Sequence, residues 1–206
     1  MRLLTPPGVF RPRSDSWLLA DAVRDGTRAG DRVTDICTGS GVVAISAALA
    51  GAGHVLAIDR SRRAVVTARV NGRLNGVHIE ARRGDLLAPA AGQRFDLIAS
   101  NPPYLPGTAE PARGAARAWE GGPDGRTFLD RLIAAAPAHL VPGGALLVIH
   151  SSVCGLDLTR ERMRAARAPA LEARGLLRPG EREEEIAILC ATARAYRADA
   201  ARSSRS

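Results

Sequence analysis

Residues 101–104 read Asn-Pro-Pro-Tyr and close an apolar run, Phe95-Asp-Leu-Ile-Ala-Ser100. An asparagine followed by two prolines is stiff. Each proline fixes its own φ, and the residue before a proline is pushed toward extended backbone. Pro103 has no N–H, so the Pro102–Pro103 link presents only a carbonyl. Two acceptors result, the Asn101 side-chain oxygen and the Pro102 carbonyl. They match the two hydrogens of one planar NH2 group, and Tyr104 offers an aromatic face to the same plane. The nitrogen of an amide or aryl amine is a weak nucleophile, because its lone pair is delocalised. Holding both hydrogens orients it and favours pyramidalisation as a new bond forms. Attack by such a nitrogen on an activated methyl gains from positioning and electrostatics and needs no strong base beforehand.

A second set of residues lies upstream. Asp35 ends an apolar run, and Cys37, Gly39 and Gly41 follow before a helical pattern begins. Glycines here permit positive φ and close approach of backbone to a ligand, and the helix start offers unpaired N–H groups. Asp59 ends the next apolar run, where a carboxylate can accept both hydroxyls of a ribose. Asp85 follows the third, from which its side chain or the Leu86 N–H reaches an adenine edge. These residues alone leave the nucleotide open. Gly39-x-Gly41-x-x-Ala44 with Asp59 also satisfies a dinucleotide fingerprint. A dehydrogenase, however, has no use for paired acceptors after the fourth strand.

The elements that must position these groups alternate. Strands are expected at "RVTDIC", "HVLAID", "VHIEARRGD", "RFDLIAS" and "GALLVIH", with later ones at "LEARGLL" and "EEIAILCATA". Helices are expected from Ser14 or Asp15, as cap, to about Arg24, with Trp17, Leu18 and Ala22 inward, and over "GVVAISAALAG", "SRRAVVTARVNGRLNG", "DGRTFLDRLIAAAPAHL" and "GLDLTRERMRAARA". Ser61 is placed to cap the third of these, and Pro137 to disturb the last turn of the fourth. Such alternation predicts a parallel sheet covered on both faces, with an antiparallel element at its end. Residues 1–193 form one expected domain with an irregular stretch at 1–13, and 194–206 an expected disordered tail.

Composition narrows the class. No apolar run reaches the length of a membrane span, and no signal-peptide pattern opens the chain, so a cytoplasmic protein without membrane association is expected. Cys37, Cys154 and Cys190 lack metal-site or disulfide spacing, and no metal is expected. All 29 basic residues are Arg, and the net charge is +8. That charge is spread along the chain, so a nucleic-acid partner is not favoured. Trp119 and Glu120 lie in a Gly-rich stretch that either lines a substrate channel or packs locally. Arg113 and Arg117 read as solvated or as partner contacts. His150 reads as a satisfied polar group at a strand end.

The stretches "VFRPRSDSWLLADAV", "DICTGSGVVAIS", "AIDRSRRAV", "GDLLAP", "FDLIASNPPYLP" and "AWEGGPDGRTFLDRLIAAAPAHLVPGGALLVIHSS" resemble the HemK (PrmC) group of class I S-adenosylmethionine-dependent methyltransferases. The resemblance is strongest to a short branch without the helical N-terminal domain. It implies a Rossmann-like, seven-stranded, mostly parallel sheet with one antiparallel strand. It implies S-adenosyl-L-methionine as cofactor and a glutamine side-chain amide, as in translation release factors, as acceptor. It gives Ser16, Asp35, Cys37, Gly39 and Gly41 to the cofactor's amino-acid end, Asp59 to the ribose, and Asp85 and Leu86 to the adenine. Asn101, Pro102 and Tyr104 then hold the substrate amide, with Asn101 also beside the cofactor; Pro103 and Trp119 are counted with them as candidate substrate contacts from the residues themselves. Cys37 departs from the group, which often has glycine there. A nucleic-acid amine or a small-molecule amine stays an alternative acceptor. Eukaryotic relatives bind an activator subunit along the edge that "VHIEA" would form; an activator for this chain is left open.

Overall fold

The computed structural model describes residues 1–104, 106, 107, 121–165, 171–176 and 186–192, the last two segments by backbone alone. Five parallel strands form its centre: β1 (Arg32–Ile36), β2 (His54–Asp59), β3 (Glu80–Arg83), β4 (Phe95–Ser100) and β5 (Leu140–Ser151). They lie in the order β3-β2-β1-β4-β5. The sheet continues to β7 (Ile186–Thr192), antiparallel to β5, and then to β6 (Leu171–Leu176), antiparallel to β7. Chain order reverses beside β1, the place where open α/β sheets bind ligands.

Two apolar layers hold the helices, and strand periodicity sorts residues between them. Along β5, Ala145, Leu147 and Ile149 join the layer of α1 (Ser14–Gly26), α2 (Val42–Leu49) and α3 (Arg62–Leu74). Leu146 and Val148 join the opposite layer with α4 (Thr127–Ala135) and α5 (Leu156–Ala165). No helix among the described residues is long and apolar enough to cross a membrane.

Local signals explain most boundaries. Ser61 Oγ accepts the Ala64 N–H and starts α3. Pro137 lacks the N–H that would continue α4, which passes into a 3-10 turn at Ala136–His139. The Pro142-Gly143-Gly144 turn sits inside β5 as an irregularity: Phe95 pairs with Leu140 and Leu97 with Ala145. The strand therefore starts earlier than its apolar run suggests.

Helix α1 departs from expectation. Its N-cap is Arg13, whose N–H is 3.4 Å from Ser16 Oγ. Leu19, Ala20 and Val23 form its fully buried face, whereas Trp17 is 41% exposed and Leu18 and Ala22 sit at the margin. The apolar stripe is rotated because the buried face also carries Asp15 and Ser16.

Gly41 caps α2 with φ +85°, and an added Cβ would lie 3.0 Å from both Cα and Cβ of Ala68. Gly76 has φ +70° but open space around it. Gly41→Ala is therefore expected to lower stability by about 1–3 kcal/mol more than strain alone, which is all that Gly76→Ala incurs. Urea unfolding of the two variants measures the difference, and equal losses would contradict the close packing of α2 on α3.

Candidate active site

The register of the sheet gathers the polar residues. Asp35 pairs with Ala57 on one side and Ala99 on the other. Asp59 and Asn101 each stand two residues further along, so the period of two puts all three on the same face at the carboxyl ends of the strands.

Around Asn101 the organising group is Asp15. It is 4% exposed. Its Oδ1 accepts the Ser16 N–H at 2.6 Å and the Ser16 hydroxyl at 3.2 Å. Its Oδ2 accepts Asn101 Nδ2 at 3.1 Å and the Tyr104 hydroxyl at 2.9 Å. Asn101 Nδ2 also donates to Ser16 Oγ at 3.2 Å. A carboxylate only accepts, so the NH2 end of Asn101 must face it. The amide oxygen is left over, and among the described residues nothing donates to it. Tyr104 is buried by its bond to Asp15. Pro102 is buried and Pro103 half-buried.

The Gly-rich loop has its own carboxylates. Asp35 Oδ2 accepts the Thr38 hydroxyl at 2.6 Å and the Ala44 N–H at 3.2 Å, tying the loop to the first turn of α2. Asp59 accepts the Gly39 N–H at 3.0 Å on Oδ2 and the Ser61 N–H at 2.8 Å on Oδ1. Burial pushes the Asp59 carboxyl above its usual range, against hydrogen bonds from Ser61 and Gly39. Burial likewise pushes the Cys37 thiol well up, with the charges of Asp59 and Asp35 adding, so the thiol stays protonated.

At the far end of the crevice, Gly84 N–H donates to the Asp59 carbonyl and draws the end of β3 against β2. Asp85 Oδ2 pairs with Arg131 at 2.5 Å. Its Oδ1 is buried and accepts no hydrogen bond from the described residues, with Arg60 Nε at 3.9 Å. Among the described residues only Cys37 (φ 63°) and Leu86 (φ 50°) are non-glycines with positive φ. Such strain costs about 1–3 kcal/mol and gathers at functional sites. Both residues lie in this crevice.

The structure thus assembles Ser16, Asn101 and Tyr104 in one cluster, and Asp35, Cys37, Gly39, Gly41 and Asp59 in a second. Asp85 and Leu86 flank the latter. Trp119, Glu120, Arg113 and Arg117 lie outside the described residues. His150 differs from expectation. It is wholly buried, neither ring nitrogen has a side-chain hydrogen-bond partner among the described residues, and burial plus the nearby Arg126 cation lower its pKa to about 4. It lies on the same side of β5 as Leu146 and Val148, which join the apolar layer of α4 and α5. Asp15 was legible only as a helix cap. Its partners are 86 and 89 residues away, and no local pattern announces them.

Residues 1–167 match the family described as the methyltransferase small domain. The chain belongs to that family. It is an S-adenosylmethionine-dependent methyltransferase of α/β class I fold. A chain from Methanocaldococcus jannaschii, provisionally named a protein N5-glutamine methyltransferase, is 35% identical over 167 residues, covering 80% of this chain and 83% of that one. A release factor glutamine methyltransferase from Gloeobacter violaceus is 37% identical over 158 residues, covering 71% of this chain and 55% of the other. This methyltransferase therefore spans only about half the length of that bacterial relative. Among solved structures, the E. cuniculi Mtq2–Trm112 complex, responsible for methylation of the eRF1 termination factor, superposes with a TM-score of 0.67 at 24% identity, covering 90% of this chain and 98% of that chain. At that identity the likeness establishes the fold.

Asp35 yields a pH prediction. Burial, the largest cause, pushes its carboxyl from 3.8 up to about 7, against the bonds from Thr38 and Ala44. The folded state then holds the proton more tightly than the unfolded chain, so the Asp35 contribution to stability falls as pH rises from about 4 to about 7 and is flat above. Urea unfolding across pH 4–8 should show that decline in the native protein minus Asp35→Asn difference. A difference independent of pH would contradict it.

Proposed function

We propose that this methyltransferase acts on the nitrogen of a planar NH2 group, and that the group is the side-chain amide of a protein glutamine of the release-factor type. The observation that carries the proposal is the grip of Asp15 on Asn101. It fixes the amide so that Oδ1, rather than Nδ2, is available to an incoming NH2. The Pro102 carbonyl would take the second hydrogen, with Pro103 keeping that peptide free of a competing donor. Tyr104, anchored through its hydroxyl, would wall the amide plane.

The crevice residues fit the cofactor. Among the described residues Asp85 Oδ1 is a buried acceptor without a hydrogen bond, suited to an adenine amino group, with the Leu86 N–H beside it. Asp59 has the lone pairs to accept ribose hydroxyls while keeping its bonds to Gly39 and Ser61. Ser16, Asp35, Cys37, Gly39 and Gly41 would surround the amino-acid part, where buried carboxylates favour a cationic ligand. When bound, S-adenosylmethionine supplies an electrophilic methyl on a sulfonium. The chain's own contribution is to orient the nitrogen, exclude water and hold the two acceptors rigid. The nitrogen is neutral and gains its charge only as the bond forms, so electron-rich oxygens on its hydrogens stabilise the transition state more than the ground state. Its proton is lost afterwards to water.

The acceptor reading draws on the relatives. The archaeal one carries the glutamine name over most of its length, and the bacterial one names release factors. Asn101→Ala is expected to leave cofactor affinity within about threefold and lower turnover by about 10²–10³. Asp15→Asn is expected to lower turnover by at least about tenfold, because an amide partner no longer dictates the orientation of Asn101. Tritiated-methyl transfer to purified release factor and to total RNA reads both. Label in RNA alone would refute the glutamine acceptor, and full turnover in Asn101→Ala would refute the grip.

A further inference from the structure

Asn71 and Asn75 lie on successive turns at the end of α3 and take part in none of the chemistry above. Each is paired with one residue of the N-terminal segment through both its backbone groups. Asn75 Oδ1 accepts the Arg2 N–H at 2.8 Å, and its Nδ2 donates to the Arg2 carbonyl at 2.7 Å. Asn71 Oδ1 accepts the Leu4 N–H at 2.8 Å, and its Nδ2 donates to the Leu4 carbonyl at 2.9 Å. The spacing is self-consistent. Four residues of helix rise about 6 Å, and two residues of extended chain about 6.6 Å. Two carboxamides thus imitate the edge of a strand, and residues 2 and 4 pair with it.

The segment runs on toward the crevice. Arg63 Nη1, near the start of α3, donates to the Pro7 carbonyl at 3.3 Å. Phe10 then meets the Gly-rich loop, since a Cβ on Gly39 would lie 3.5 Å from Phe10 Cβ. Asn71 also reaches that loop directly, donating from Nδ2 to the Ser40 carbonyl at 2.8 Å, and it is wholly buried. One side chain therefore fastens both the N-terminal segment and the turn between Gly39 and Gly41.

We propose that residues 2–10 form a fixed wall of the cofactor site, and that Asn71 is a positioning residue for S-adenosylmethionine because it locks this wall and the Gly-rich loop into one unit. Asn75 holds the outer end of the wall, and Phe10 is its inner end. The proposal rests on the reading above that the cofactor lies along the Gly-rich loop and Asp59.

Calorimetric titration of the full chain with S-adenosylmethionine tests it, together with hydrogen exchange at the Gly-rich loop. Four variants are needed: Asn71→Ala, removal of residues 2–4, the two combined, and Asp59→Asn. Losing the buried pairing of Asn71, or the segment that it holds, is expected to raise Kd about tenfold, and the combined variant no further than the worse single one, because both break the same unit. Faster exchange at residues 38–41 should accompany each. Should Asn71→Ala fail to fold, Leu4→Pro removes the N–H that Asn71 accepts, at a side chain that is 53% exposed, and is expected to weaken binding in the same way. Unchanged affinity in the truncated chain and in Leu4→Pro, while Asp59→Asn binds poorly, would overturn the wall and leave the cofactor site standing. Multiplicative losses in the combined variant would overturn the coupling. Normal binding by Asp59→Asn would overturn the cofactor placement, and this proposal with it.

Discussion

One buried carboxylate decides how the acceptor end of this site is built. Among the described residues no cation pairs with Asp15; it is compensated instead by four donors, the Ser16 N–H and hydroxyl, the Asn101 amide and the Tyr104 hydroxyl. An ionised group in such a place is stable only while those donors stay in position. The dependence runs both ways. The donors are held because the carboxylate needs them, and α1 is held against the end of β4 because it carries the carboxylate. A helix that would otherwise be a mere cover for the sheet becomes part of the chemistry. The outward position of Trp17 follows from the same constraint, since the inward face is already occupied by Asp15 and Ser16.

The rest of the crevice uses carboxylates differently. Asp35 and Asp59 bond to backbone N–H groups and to one hydroxyl within their own neighbourhood. They shape the loop that contains Cys37, Gly39 and Gly41. Burial raises their affinity for protons, a cost that a cationic ligand would offset. Two strained non-glycine residues, Cys37 and Leu86, follow the carboxyl ends of β1 and β3. The topology explains why the carboxylates and the Asn101 elbow meet at all. β1 and β4 are neighbours although β2 and β3 intervene in the chain, so the loop after β1 and the elbow after β4 open into one space.

Family membership and this geometry bear on different questions. The match over residues 1–167 establishes the methyltransferase, whereas the orientation of one amide bears on what is methylated. The bacterial relative is nearly twice as long as the part matched here.

The order of strands and helices, the positive-φ glycines, the Ser61 cap, the break at Pro137 and the stiffness of Asn101-Pro102-Pro103 were all readable in the chain. Each arises within a few residues, from backbone sterics, apolar periodicity or a missing N–H, and needs no distant partner. The reading failed where a polar group finds its partner across the fold. Asp15 passed for a cap, Trp17 for a core residue and His150 for a satisfied group, while no local signal singled out Asn71. Their status depends on which donors and acceptors packing brings into hydrogen-bond reach, over separations of 67 to 89 residues for Asn71 and Asp15. The chain by itself thus determined which groups were present and how stiffly each is held locally. Only the tertiary structure decided which way the Asn101 amide faces, because that orientation is set by a carboxylate on a helix remote in sequence.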